Sequence, residues 1–331
     1  MEKRKAVLPG KFWAAPMAEI SHAGFRQWCE RYGGADLYFT EMIGVRALVH
    51  GSPHLSWYTE TRPVPEKTVL QLWGVHTEDF AEAVPKLSRF SVPGVDVNMG
   101  CGAPLIRRRG GGVTLLSHPD RAARIVETLV EGLPGKFVSV KIRIGEKEDA
   151  DALISFARRL EEAGASWITL NPRIRRDKHY RPARWEYVRL LKNSLGIPVV
   201  GNGDIRDWES YRIRRNLSEA DAFMIGRGAV SSPWLFSFLR DREGSSGGLA
   251  GATPCMNRLA MVHAALDSIE EWQPSESHAK RAKRFLSVWT GQLKFGNRLF
   301  LSLSRAETLP SIRKELTGYF RRNPDEIFSK P

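Results

Sequence analysis

The chain has 331 residues, 42% of them apolar and 26% charged, with 50 Lys+Arg against 37 Asp+Glu and three cysteines. That apolar share excludes a disordered chain, and so few cysteines exclude a disulfide scaffold and fit a reducing compartment. No apolar run reaches the ~18–20 residues that span a bilayer, and the basic start MEKRKAVLPG lacks a long apolar stretch behind it, so a soluble cytoplasmic protein is expected.

Short β-type runs recur to about residue 226: FWAAPM (12–17), LYFTEM (37–42), TVLQLWG (68–74), VDVNM (95–99), FVSVKIRIG (137–145), SWITLN (166–171), IPVVGNGD (197–204) and DAFMIGRG (221–228). Helix-like segments lie between them, among them HAGFRQWCERYG, TEDFAEAVPKLSRF, DRAARIVETLVEGL and DADALISFARRLEEAG. The last places Ala152, Leu153, Phe156, Ala157 and Leu160 on one face at helical spacing. Alternating strands and helices predict a parallel sheet with covered faces, and eight such units predict a closed (β/α)₈ TIM barrel over residues 1–241. An open doubly wound sheet is the competing fold, but no G-x-G-x-x-G follows the first strand.

Residues 242–254, REGSSGGLAGATP, read as a linker, and beyond it strand patterns stop. Residues 255–331 are expected to form a small C-terminal helical domain. In it, Ala282, Phe285, Leu286, Trp289 and Leu293 make an apolar stripe, with Lys280, Arg281, Lys283 and Arg284 expected on the opposite, solvated side. The net charge of +13 favours a polyanionic partner. Two segments concentrate it: residues 278–305 carry seven Lys/Arg and no acid, and residues 173–189 carry seven against Asp177 and Glu186.

Barrel enzymes hold their chemistry at the C-terminal ends of the strands. Those ends read Pro16-Met17, Glu41, Gln71, Asn98 to Cys101, Lys141, Asn171, Asn202-Gly203-Asp204 and Gly226-Arg227. Glycines after strands seven and eight let backbone N–H groups approach a phosphate, and Arg227 adds a charged fork. Lys141, aimed into a barrel mouth, needs an anionic partner, either a ligand edge or a carboxylate such as Glu41. Gln71 can both donate and accept at a planar ring edge. Cys101 precedes RRRGGG (107–112), whose glycines imply a mobile loop, and a protonated thiol there is a usable general acid. Cys29 and Cys255 are read as small buried residues. With no CxxC and no clustered histidines, no metal site is expected.

In this order, APMAEISHAGFRQWCERYGGADLYFTEM, LQLWG, VDVNMGC, VKIRIG, ITLNPR with ARWEYV, IPVVGNGDI and ADAFMIGRGAVSSPWLF resemble the tRNA-dihydrouridine synthase family across roughly residues 10–240. LSVWTGQLKFGNRLFLSLSRAETL resembles that family's helical RNA-binding domain. The resemblance implies a monomeric FMN enzyme that uses NADPH to reduce a uridine in RNA, with tRNA the expected substrate, to 5,6-dihydrouridine. It implies FMN contacts from Ala15, Pro16, Met17, Gln71, Lys141, Asn171, Asn202, Gly203, Asp204, Gly226 and Arg227. Cys101 would be the proton donor, and Asn98, Arg173 and Tyr180 would meet the substrate. Tyr180 or Trp185 could stack on a base. Gly102 and Asn171 stand where the family usually has Pro and His. A barrel reductase of a small molecule would share the phosphate loops but have no use for the basic tail. Loss of catalysis in an RNA-binding protein is the reading that Gly102 and Asn171 alone would favour.

Overall fold

The computed structural model describes residues 7–177, 181–244 and 253–329. Nine parallel strands form one sheet: β1 (Phe12–Ala14), β2 (Leu37–Phe39), β3 (Ile43–Gly44), β4 (Thr68–Trp73), β5 (Gly94–Met99), β6 (Phe137–Gly145), β7 (Ile168–Ile174), β8 (Val199–Asn202) and β9 (Ala222–Ile225). β1 pairs with both β2 and β9, and β2 pairs with β4, so eight strands close into a ring. The short β3 pairs only with the end of β4, at Leu72 and Trp73. The second apolar run of the sequence, expected as one strand over 37–42, therefore breaks after Phe39 and resumes at the rim.

Side-chain alternation decides what fills the ring. Trp13, Leu37, Phe39, Val69, Trp167, Val200, Ala222 and Met224 form an inner cluster, while Phe12, Ala14, Tyr38, Leu70, Val95 and Val97 pack outward under the helices. Two residues further along, the inward positions turn polar: Gln71 follows Val69, and Asn202 follows Val200. The apolar plug thus closes the bottom of the barrel and leaves a polar floor at its C-terminal mouth.

The covering helices follow the expected faces. Asp149 caps helix Ala150–Glu162, which buries Leu153, Phe156, Ala157 and Leu160. Ala152, at the edge of that face, is exposed. Helix Leu235–Gly244 carries regular structure past residue 241, three residues into the expected linker.

Four C-terminal helices follow, Arg258–Trp272, His278–Trp289, Gly296–Arg305 and Leu309–Arg322. The first lies against helix Ala23–Glu30, whose Gly24 makes the approach possible: a Cβ there would sit 2.3 Å from the Ser268 carbonyl oxygen. Trp28 Nε1 donates to the Met261 carbonyl at 3.1 Å, and its ring meets Phe285 edge-on at 5.2 Å. The expected stripe Ala282, Phe285, Leu286, Trp289 and Leu293 is buried. Arg281 is buried with it rather than solvated, because it lies one turn before Phe285 on the side facing the barrel rim. No helix among the described residues is long and apolar enough to cross a membrane.

Candidate active site at the barrel mouth

The floor of the mouth is a linked set of inward side chains from β4, β5 and β6. The Asp96 carboxylate, fully buried, accepts from Gln71 Nε2 and from Ser139 Oγ, both at 2.7 Å. Burial pushes its pKa up to about 6, and the two hydrogen bonds oppose that rise. Gln71 Oε1 accepts from Asn98 Nδ2 at 3.0 Å, and Asn98 Oδ1 accepts from the backbone N–H groups of Gly100 and Cys101, at 3.2 and 2.9 Å. Asn98 is therefore spent largely on holding the turn that carries the thiol, with one amide hydrogen left for a ligand.

Lys141 and Arg143 come next along β6, two residues apart and so on the same side of the strand. The Lys141 ammonium makes no ion pair or hydrogen bond with any described residue. Burial and the Arg143 and Arg173 guanidiniums lower its pKa to about 8, with Asp96 and Cys101 pulling the other way. Glu41, the carboxylate considered for it, is taken by Arg281 of the C-terminal helix at 2.6 Å, with both side chains under one tenth exposed. Glu41 also accepts from the Glu19 backbone N–H at 2.5 Å.

The ends of β7, β8 and β9 form the other wall. Two guanidiniums converge on Asp204: Arg173 Nη2 reaches both its oxygens at 2.6 and 2.7 Å, and Arg227 stands at 3.3 Å. The Ala183 N–H donates to the same carboxylate at 2.8 Å. These contacts outweigh burial and hold its carboxyl below the usual range. Arg173 also donates to the Arg181 carbonyl at 2.9 Å and lies 3.5 Å from Asn171 Oδ1. Its buried guanidinium thus braces the wall. Asn202 Nδ2 donates to the Met224 carbonyl at 2.7 Å, tying β8 to β9.

These walls enclose a cavity of about 310 Å³, within the span of small-molecule sites. All of the residues expected to hold a cofactor, Ala15, Pro16, Met17, Gln71, Lys141, Asn171, Asn202, Gly203, Asp204, Gly226 and Arg227, line it. So do Cys101, Asn98 and Arg173; Tyr180 lies outside the described residues. Arg143, Arg206 and Arg284 line it too, although no sequence pattern above points to them as site residues. Arg143 is within reach of sequence reasoning, as the next inward residue after Lys141. Arg284 reaches the cavity only through the docking of a distant helix, which no local pattern reveals.

A phosphate-bearing, planar cofactor fits this lining. Gly203 (φ +137°) leaves space that a Cβ would close to 2.9 Å from Arg173, and at Gly226 a Cβ would lie 3.3 Å from the Met17 sulfur. An electron-rich ring edge would give the unpaired Lys141 ammonium a partner that no described residue supplies.

Several expectations change. Cys29 is buried, but Cys255 is exposed. Trp185 is 2% exposed, sits beneath Gly201 and donates to the Gly203 carbonyl at 3.2 Å, so it packs and does not stack on a base. In the basic segment 173–189, Arg175 pairs with Glu146, Arg184 with Asp177 and Glu148, and Arg189 with Glu219. Glu146, Glu148 and Glu219, brought by the fold from outside the segment, join its own Asp177 in quenching this charge. The stretch after Cys101 is built rather than loose: helix Pro104–Arg108 leads into a 3₁₀ segment Gly112–Ser117, and Gly112 (φ +59°) lies where a Cβ would fall 2.4 Å from the Cys101 carbonyl. Among the described residues, no three His, Cys, Asp or Glu side chains gather as a metal site.

Residues 13–294 match the family described as Dihydrouridine synthase (Dus). A probable tRNA-dihydrouridine synthase of Aquifex aeolicus is 32% identical over 247 residues, covering 72% of this chain and 76% of the relative. The tRNA-dihydrouridine(16) synthase of Neisseria meningitidis serogroup A is 31% identical, with 69% and 71% covered. The tRNA-dihydrouridine synthase B of Pasteurella multocida is 30% identical, with 69% and 68% covered. A match that runs from the first barrel strand into the C-terminal helices, through every loop that lines the mouth, makes this chain a member of the dihydrouridine synthase family.

Proposed function

We propose that this protein reduces a uridine in tRNA to 5,6-dihydrouridine, with FMN in the barrel-mouth cavity, NADPH as reductant and Cys101 as proton donor. The observation that carries the reading is the meeting, in one cavity, of the Cys101 thiol with two cations of β6, one of them unpaired. Met17, Gln71, Lys141, Asn171 and Asn202 would hold the ring system, with Gly203, Gly226 and Arg227 around the phosphate. A reduced flavin bound there would supply the hydride for C6 of the uracil.

The chain's own groups then have defined tasks. Hydride addition at C6 throws negative charge onto C5 and O4 of the uracil. Lys141 and Arg143 lower the cost of that charge in a site of low dielectric. Cys101 gives its proton to C5, and the Asn98 amide, by holding the Gly100–Cys101 backbone, fixes the place from which the thiol does so. The target base must leave its stack to enter, at a cost of a few kcal/mol that is least in a loop. Asn98 and Arg173, both in the cavity lining, are the residues we assign to contact that base.

The helical portion from about residue 255 supplies cations for the RNA backbone from Lys283, Arg284, Lys294 and Arg298, none in an ion pair with a described residue. We place the enzyme in the cytoplasm and read it as a monomer. The direct test is mass spectrometry of tRNA incubated with purified protein, FMN and NADPH. One uridine gaining two mass units is the expected result, and tRNA left unchanged under conditions where the protein holds flavin contradicts it.

A further inference from the structure

A second cavity opens on the same rim. It has a volume of about 530 Å³ and is lined by the end of β3 and the start of helix Val45–His50 (Gly44 to Ala47), the end of β4 with its turn (Trp73 to His76), Asp79 and Arg109. The loops that line the barrel-mouth cavity line this one as well. Met42 faces the first and Gly44 the second; Cys101 faces the first and Arg109 the second. The two are joined by close packing: at Gly111 a Cβ would lie 3.1 Å from the Trp73 ring, and at Gly112 one would lie 2.4 Å from the Cys101 carbonyl.

Its chemistry is specific. Trp73 is half-buried, and its ring stacks on no described aromatic side chain; its indole N–H makes no hydrogen bond with a described residue. Arg46 and Arg109 are exposed and form no ion pair with any described residue. His76 is exposed at the start of helix Thr77–Leu87, whose positive end adds to the field. Asp79 is the one acid among the described residues of the lining. An indole face beside two unpaired guanidiniums suits a ligand that is flat and aromatic at one end and anionic at the other. Neither guanidinium is compensated by a described residue.

We infer that this cavity is an accessory nucleotide site, taking a base against Trp73 and its phosphate between Arg46 and Arg109. Two sources have that chemistry: an RNA nucleotide neighbouring the target uridine, and the adenosine half of the dinucleotide reductant. The inference rests on the proposed uridine reduction for its kinetic arms but not for its binding arm.

The test uses the flavin-loaded full chain, its Arg46→Ser/Arg109→Ser variant, and Trp73→Leu as a second variant. Neither arginine packs in the core, so the double variant should fold and keep its flavin. In the binding arm, adenosine 3′,5′-bisphosphate is titrated by calorimetry; the expected result is at least tenfold weaker binding in the double variant and in Trp73→Leu. Equal binding by all three proteins, or none by the parent, overturns the site. In the kinetic arms, a rise of fivefold or more in the KM for tRNA, with NADPH reduction of the flavin unchanged, identifies the RNA nucleotide. The same rise for NADPH in the absence of RNA identifies the reductant. Both values unchanged within twofold overturn the inference even where the parent makes dihydrouridine. A parent that binds the bisphosphate through these residues but makes no dihydrouridine keeps the site and sinks the uridine reading.

Discussion

Lys141 shows how a single residue's energetics report on what occupies the cavity. A lysine buried at a barrel mouth, with its nearest acid already bound by Gln71 and Ser139, has its ammonium destabilised, and its pKa falls to about 8. An anionic ring edge or phosphate in the cavity would reverse that, so ligand binding and protonation are coupled. The free protein's Lys141 is protonated below pH 8 and loses its charge above it. FMN affinity should therefore be flat from pH 6 to about 7.5 and weaken above pH 8, by at most tenfold per pH unit. Titration of apoprotein with FMN across that range checks it, and Lys141→Met should flatten the profile.

Asp96 carries the opposite consequence for stability. Its folded pKa of about 6 lies above the unfolded carboxylate value, so the folded state prefers the protonated acid. Stability should fall as pH rises from about 4 to 6, by at most about 3 kcal/mol from this group. Urea unfolding of Asp96→Asn over that interval should lose this component. Of these residues, Gln71, Asn98, Lys141 and Cys101 are legible as strand ends. Arg143 is legible only when the two-residue period is carried one step beyond Lys141. Gly102, where the family usually has Pro, has no backbone demand of its own: a Cβ there would lie 3.7 Å from its nearest neighbour, Arg175.

At the level of elements, the pair that sets the C-terminal helices against the barrel is Arg281 with Glu41. Lys280 and Glu19 add an exposed pair at its edge, 2.5 Å apart. Buried ion pairs are costly to half-break, because the remaining charge stays out of water. Arg281→Met should destabilise the protein by about 3–5 kcal/mol, and Arg281→Met with Glu41→Leu should recover most of that loss. Chemical denaturation of the single and double variants measures it. The eight barrel strands are readable because buried parallel strands are short apolar runs, and the amphipathic helices because one face is apolar. Arg281 is not readable in this way. A helical wheel shows which residues are apolar but not that a glutamate 240 positions away waits opposite one of the cations. The same holds for Arg175 and Arg189, whose acidic partners Glu146 and Glu219 lie outside the basic segment.

Over the whole molecule, an excess of 13 positive charges survives those local pairings. Each phosphate neutralised on binding contributes about 0.7–0.9 log unit of affinity per log unit of salt. tRNA affinity should therefore fall steeply between about 50 and 200 mM salt, and neutral substitutions at Lys294 and Arg298 should reduce the slope by about one unit for each phosphate those side chains neutralise. Filter binding across a salt series reads both; a flat response would leave the excess charge without an electrostatic role in binding. The union of a flavin-type barrel with a basic helical layer is readable from composition and strand ends. The way Arg284 and Val288 of that layer complete the cavity wall is not, because it depends on how the two parts dock.

The proton-donor role proposed for Cys101 is open to a single-turnover experiment. The flavin of the wild-type protein and of Cys101→Ala is reduced without oxygen and mixed with tRNA, and its reoxidation is followed by absorbance. The wild-type flavin should reoxidise rapidly. The Cys101→Ala flavin should do so at a rate about 10²–10⁴-fold lower, with flavin content and tRNA affinity retained. Reoxidation of the variant at the wild-type rate would show that the proton comes from elsewhere.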